Sequence, residues 1–371
     1  MMAEIGFFKL RYAQMKSMGK WDCKNSLETK GWVDWKEFMK VHFKGTRGSI
    51  PTAPTALETR EKVVAALLAA RGKDLRSEGQ IREFVEKQLP FQHGATYGGN
   101  TPCVHVETDS DECLIFDGGS GLRPFGNEIK EQGLTNKTFH LFLSHLHYDH
   151  IQGIPFFFPA YQPGNKIIIH GGHDGIENAL REQMKPPFFP ISFDMFGAEI
   201  SFEKHSPGDV VEVCGTRITL FEQDHPGTSY GYRIESGGSS IVYSTDAEHR
   251  NEALSHKYPY VDFIRGANLL IFDAPYTHSQ SIGNREDWGH SSNVMGVELA
   301  ARGEIETLAL FHHDPATSDE DMIKFLAHTK KFLERSKIMV KETRPGIPGS
   351  LAPRAHPYDV ILAYDGLSLE F

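Results

Sequence analysis

The stretch Ser144-His145-Leu146-His147-Tyr148-Asp149-His150 carries chemistry more densely than any other part of the chain. Four side chains able to ligate a metal fall within six residues, directly after the apolar run TFHLFL. Alternate side chains of an extended backbone point the same way, so His145 and His147 face one point. Asp149 and His150 follow after the chain turns and can face a second point nearby. Imidazole and carboxylate donors in that order suit two cations a few ångströms apart. The bland explanation is a surface loop rich in histidine, and it accounts poorly for this placement at the mouth of a strand.

Further donors lie downstream. His225 stands beside Pro226 and Gly227, Asp246 ends the run IVYSTD, His290 lies in WGHSS, and His312-His313 follow TLALF. Taken singly, a residue such as His225 reads as a surface histidine. The chain nevertheless holds 19 histidines, several beside aspartates, which adds weight to His/Asp metal chemistry. The four cysteines, Cys23, Cys103, Cys113 and Cys214, form no CxxC pair and read as buried or incidental thiols in a reducing compartment.

The elements that must position these residues are legible as hydrophobic periods. KVHFKG, beginning after Met39, reads as the first strand of a domain, and residues 1–38 show no clean strand or helix period. Met39 is thus also a candidate natural start, which the intact mass of the protein from its source would decide. Leu57, Val64, Leu67 and Leu68 recur at helical spacing, and Ser77 with Gln80 forms a capping box before Ile81, Phe84, Val85 and Leu89. Two helices are expected across 57–89, as an additional packing layer or as a lid. From Gly98 onward strand runs alternate with helices: VHVET and CLIF pair, KIIIHGG follows the histidine cluster, and two hairpins span 210–246. Asp174 with Glu177, Ser292 and Ser318 are expected to cap helices, and DVILAYDG supplies a final strand. Many strands with interspersed helices and no visible repeat predict a layered α/β domain over residues 39–371.

Composition narrows the partners. Asp and Glu number 49 against 39 Lys and Arg, a net charge of −10, whereas binders of long nucleic acids carry a basic face. No apolar run reaches membrane-spanning length, and Lys9 and Arg11 interrupt what would be a signal peptide's apolar core, so a cytoplasmic protein is expected.

The string HLHYDH resembles the HxHxDH signature of the metallo-β-lactamase superfamily. GTRGSIP, YGGNTPCV, FDGGSGLR, DHPGTSYGYRI, YSTDAEH, WGHSS and LFHHDP resemble its further motifs, most closely those of the branch holding ribonuclease Z and PhnP-type phosphodiesterases. The resemblance covers most of 40–371. It implies a four-layer αββα sandwich, here with a helical insertion at 57–89. It also implies two divalent cations, with zinc favoured by the donors and manganese or iron as alternatives. One cation would be held by His145, His147 and His225, the other by Asp149, His150 and His312, with Asp246 bridging. The family's last ligand directly follows a strand, which favours His312 over His313. His290 stands where phosphodiesterase members place a histidine near the substrate phosphate, and Asp273 is a candidate to orient it.

The implied activity is that of a phosphodiesterase of small substrates, such as a cyclic nucleotide, using a hydroxide formed at the cations, with Asp149 and His290 catalytic. Residues 186–190, PPFFP, replace the long basic arm by which tRNA-processing members grip their substrate. A ribonuclease Z-like endonuclease is the second reading; hydrolysis of an ester, thioester or lactam is the third. A binding protein on an inactive fold is disfavoured, because every ligand position is filled. Compact members form dimers, so a homodimer is expected by resemblance.

Overall fold

The computed structural model describes residues 39–255, 257–277, 287–343, 357 and 359–371, all within one compact unit spanning 37–371. The expectation of an N-terminal extension over 1–38 lies outside the described residues.

Strands β1 (Lys40–Gly45), β2 (Cys103–Glu107), β3 (Cys113–Phe116), β4 (Thr138–Leu143), β5 (Lys166–Gly171), β6 (Glu199–Lys204) and β14 (Ser368–Glu370) form one sheet, in the order β14-β1-β2-β3-β4-β5-β6. A second sheet runs β13-β12-β11-β10-β9-β8-β7, from β7 (Val210–Val213), β8 (Thr216–Gln223), β9 (Ser229–Ser236), β10 (Ser239–Ser244), β11 (Leu269–Asp273), β12 (Thr307–Phe311) and β13 (Asp359–Leu362). Each sheet is part antiparallel, part parallel: β3 to β6 run parallel in the first, β10 to β13 in the second. Helices α1 (Ala56–Ala70), α2 (Glu78–Lys87) and α3 (Phe91–Gly94) precede β2. They are followed by α4 (Leu122–Glu131), α5 (Tyr148–Ile151), α6 (Ile176–Gln183), α7 (Pro259–Ile264), α8 (Asn293–Arg302) and α9 (Asp319–Thr343).

Three apolar layers bind this arrangement. Between the sheets, Phe43, Val104, Phe116 and Phe142 of one meet Tyr232, Ile234, Tyr243 and Phe311 of the other, all buried. The opposite face of the first sheet packs Leu141 and Ile169 against Phe125 and Ile129 of α4 and Leu180 of α6. The opposite face of the second packs Leu270 and Leu308 against Val297 of α8 and Leu333 of α9. The parallel strands are apolar on both faces because both faces are covered. The chain is therefore the αββα sandwich that the motifs predicted.

Three local expectations change. The capping box at Ser77 forms, but Asp174 caps nothing: Gly175, in left-handed backbone, begins α6, and exposed Asp174 instead pairs with Lys204. A second capping box, Thr55 with Glu58, begins α1 and follows the same spacing rule. The apolar stripe of α1 is not a packing layer: Leu57, Val64, Leu67 and Leu68 are exposed, and α1 is held instead through Lys62, which reaches Asp319 and the Ala95 carbonyl. Only Phe84 and Leu89 of this region are buried as the period suggested, and the strand expected over DVILAYDG covers only its first four residues, as β13, with β14 a further strand beyond it in the other sheet.

Candidate metal centre

Strands β3 and β4 run side by side and end together, with Asp117 following the one and Ser144 the other. Asp117 adopts φ 61°, a conformation uncommon outside glycine, and its side chain is fully buried. It accepts four hydrogen bonds: from Ser144 N at 2.7 Å, Ser144 Oγ at 2.7 Å, His150 Nδ1 at 2.7 Å and the Tyr243 hydroxyl at 2.7 Å. With Nδ1–H donating outward, His150 turns a lone pair on Nε2 inward. The same device recurs. Ser144 Oγ gives its hydrogen to Asp117 and takes one from His145 Nδ1 at 3.0 Å, so His145 Nε2 also faces inward as a lone pair. His225 Nδ1 donates to the Gly289 carbonyl at 2.8 Å, leaving Nε2 3.1 Å from His147 Nδ1.

The inward atoms form two adjoining sets. Donor atoms of His145, His147, His225 and Asp246 lie within 4.8 Å of one another, and so do those of Asp149, His150 and His312. Asp246 reaches both: Oδ2 lies 3.7 Å from His145 Nε2, and Oδ1 lies 3.3 Å from His150 Nε2 and 3.3 Å from His312 Nε2. Asp149 Oδ2 lies 3.2 Å from His312 Nε2 and accepts Ser49 N–H at 2.7 Å. His313 points elsewhere, its Nε2–H donating to the Ala363 carbonyl at 2.8 Å, which places His312 among the donors and His313 outside them.

These donors fit a pair of divalent cations. His145 Nε2 and His150 Nε2 are buried without a hydrogen-bond partner, an arrangement that costs free energy unless something else satisfies the atom. The ion-pair partners of Asp149 and Asp246 among the described residues are histidines. Burial alone would raise both carboxyls, but His150 and His312 outweigh it and hold both well below the usual range. Burial pushes His145, His147 and His225 down, toward the neutral form that ligates.

His290 lies at the edge of the same cluster. Its Nδ1–H donates to Asp273 Oδ2 at 2.9 Å, as Asp273 was expected to arrange, and its ring stacks on His312 with centroids 4.9 Å apart. Burial opposes charging it, but Asp273, Asp246 and Asp149 prevail and raise it to about 9. It lines a cleft of about 180 Å³ together with Gly48, Ser49, Tyr276, Trp288 and His312. A larger cavity, about 350 Å³, lies between α1 and the start of α9, and none of the clustered histidines lines it.

Residues the motifs did not single out complete the support. Gly48 passes so close to His312 that a β-carbon would sit 2.5 Å from its ring, and one at Gly289 would sit 2.2 Å from His225 Nδ1. In the sequence these two glycines stand out only as small residues within GTRGSIP and WGH, with nothing to say which ring each must clear. The contact from Ser49 N comes from a loop distant in sequence and leaves no local signal.

Relatives agree with this architecture. An uncharacterised protein of Mycobacterium leprae is 28% identical over 216 residues, 57% of this chain and 70% of that protein. A ribonuclease Z of Staphylococcus carnosus is 23% identical over 213 residues, 56% of this chain and 66% of that protein. Among solved structures, a diphosphatase of the PhnP family superposes with a TM-score of 0.52 at 18% identity, covering 90% of this chain and 97% of its own. The family model described as the beta-lactamase superfamily domain matches residues 124–313, just over half of the 371 and the span from α4 through the last of the clustered histidines. The sandwich, the clustered donors at its strand ends and that match make the chain a member of the beta-lactamase superfamily, a hydrolase of the metallo-β-lactamase fold.

Proposed function

We propose that this hydrolase is a phosphodiesterase of small phosphodiesters, such as a cyclic nucleotide, working with two divalent cations, zinc being the best match to the donors. His145, His147 and His225 would hold one cation, Asp149, His150 and His312 the other, and Asp246 both. When bound, such cations supply a water of lowered pKa and positive charge against phosphoryl oxygens. Asp149, its carboxylate fixed by Ser49 N–H, orients the attacking water and accepts its proton. His290 is held charged by Asp273, so it serves as an acid: Nε2 steadies a phosphoryl oxygen and passes its proton to the departing oxygen as the ester bond breaks.

The observation that carries this reading is His290, fixed by Asp273 on the wall of a cleft that His312 also lines. The cleft's size, with Trp288 and Tyr276 on its walls, suits a phosphate and its flanking group. Turnover of cyclic nucleotides, linear small phosphodiesters and precursor tRNA by zinc- or manganese-loaded protein tests it. Hydrolysis of a small phosphodiester is expected; failure on every phosphodiester would sink the proposal. The relative named ribonuclease Z favours a second reading, RNA cleavage, which faster turnover of the tRNA than of any small substrate would establish instead.

A further inference from the structure

A second group of metal donors lies toward the beginning of β3 and β4, whereas the centre above lies past their ends. Glu112 immediately precedes β3, His140 lies on β4, and Cys214 occupies the turn joining β7 to β8 in the other sheet. Glu112 Oε2 is 3.0 Å from His140 Nε2 and 2.8 Å from Cys214 Sγ. One donor atom from each of the three lies within 4.8 Å of the others. His140 is buried, while Glu112 is partly open to solvent and gives a cation an entry path.

Two features set this group apart from an ordinary hydrogen-bonded cluster. The first is Cys214 itself. It sits at φ 56° and Gly215 at φ 72°, a two-residue turn of the kind that Asn-Gly or Asp-Gly normally fills. A cysteine is disfavoured in that conformation, and here the turn brings its thiol onto Glu112. The second is a row of imidazoles behind His140. His140 Nδ1 lies 3.0 Å from His170 Nε2, and His170 Nδ1 lies 3.0 Å from His205 Nε2. A carboxylate only accepts: with Nε2–H of His140 donating to Glu112 the row carries its hydrogens on Nε2 of each ring, whereas Glu203 Oε2, 3.4 Å from His170 Nδ1, favours the opposite order. Reversing the row moves them to Nδ1 with no net change in proton number. His140 then offers a lone pair at Nε2 while Nδ1–H donates to His170, the outer hydrogen bond that metal-bound histidines characteristically make.

We propose that Glu112, His140 and Cys214 form a second cation site for zinc or a similar thiophilic divalent ion. Solvent supplies the fourth ligand, the Cys214 thiol proton leaves to water, and the bound ion ties the two sheets together. This site is independent of the histidine–aspartate centre, which contains no sulfur.

Cobalt(II) substitution tests it in the full chain. A cobalt–thiolate pair absorbs in the near ultraviolet and nitrogen–oxygen sites do not. Cobalt-loaded protein should show that band, and His145→Ala/Asp246→Ala should retain it. Cys214→Ser should lose the band and about one equivalent of tightly bound metal, and Cys113→Ser should lose neither. Glu112→Gln, which keeps the thiol, should weaken the band at limiting cobalt. Absence of the band in the wild type, or its survival in Cys214→Ser, would overturn the proposal.

Discussion

Asp117 stands outside the clustered donors, yet its carboxylate sets the ring of His150 and, through Ser144, the ring of His145. An amide in its place accepts through only one atom and cannot serve Ser144, His150 and Tyr243 alike. Asp117→Asn should therefore lower zinc affinity about 10–100-fold, measured by competition with a chromogenic chelator; unchanged affinity would refute a role through the ligand rings. His290 makes the opposite prediction. On the proposed role of His290 as proton donor, removing it should reduce kcat by about 10²–10⁴-fold while bound metal stays at the wild-type level. Loss of metal from His290→Ala would make that residue a ligand instead.

At the scale of elements, the ends of strands do the positioning. Asp117 after β3, Asp246 after β10 and His312 after β12 all have positive φ, at 61°, 46° and 57°. Sparsely populated backbone of this kind persists where the surrounding structure over-determines it, and it gathers here around the donors. The loop after β1 fits against His312 only because residue 48 has no β-carbon. Gly48→Ala should displace the imidazole and cost about one equivalent of tightly bound zinc per chain at the histidine–aspartate centre, with the melting temperature lowered less than the activity. A variant that keeps the wild-type metal content would show that the loop gives way. The exposed face of α1 predicts little for stability: Leu67→Glu should change unfolding free energy by no more than about 0.5 kcal/mol in a denaturant titration. A loss of several times that would mean the stripe is covered in solution.

The whole molecule carries buried neutral histidines beyond the centre. Burial lowers His249 to about 3, and His313 likewise to about 3, against an ordinary value near 6.5. Unfolded chain binds protons at these positions between those values and folded chain does not, so stability is fully present above about pH 6.5 and falls as pH drops toward 3, at about 1.4 kcal/mol per unit for each group. Chelator-treated protein should show a melting temperature that declines steeply below pH 6. His249→Phe, which keeps a ring against Phe272 and Tyr260, should flatten that decline. An unchanged slope would place the acid sensitivity elsewhere. Among the described residues no helix is long and apolar enough to cross a membrane.

Order along the chain determined much of this. The alternation of TFHLFL into HLHYDH is a local property, and so are the apolar runs that become parallel strands and the capping boxes at Thr55 and Ser77; each arises from backbone periodicity or spacing within a turn. Tertiary structure decided what depends on distant chain. His312 and His313 are neighbours in sequence, and only the carbonyl of Ala363 on one side and Asp149 on the other separates their roles. The period of Leu57 to Leu68 is helical whether or not anything covers it, so exposure could not be read from it. Cys214 and His140 belong to different sheets and meet only because the sandwich closes. The cluster His145 to His150 announced metal chemistry by itself; the second set of donors needed the fold, because no two of its residues are close in sequence.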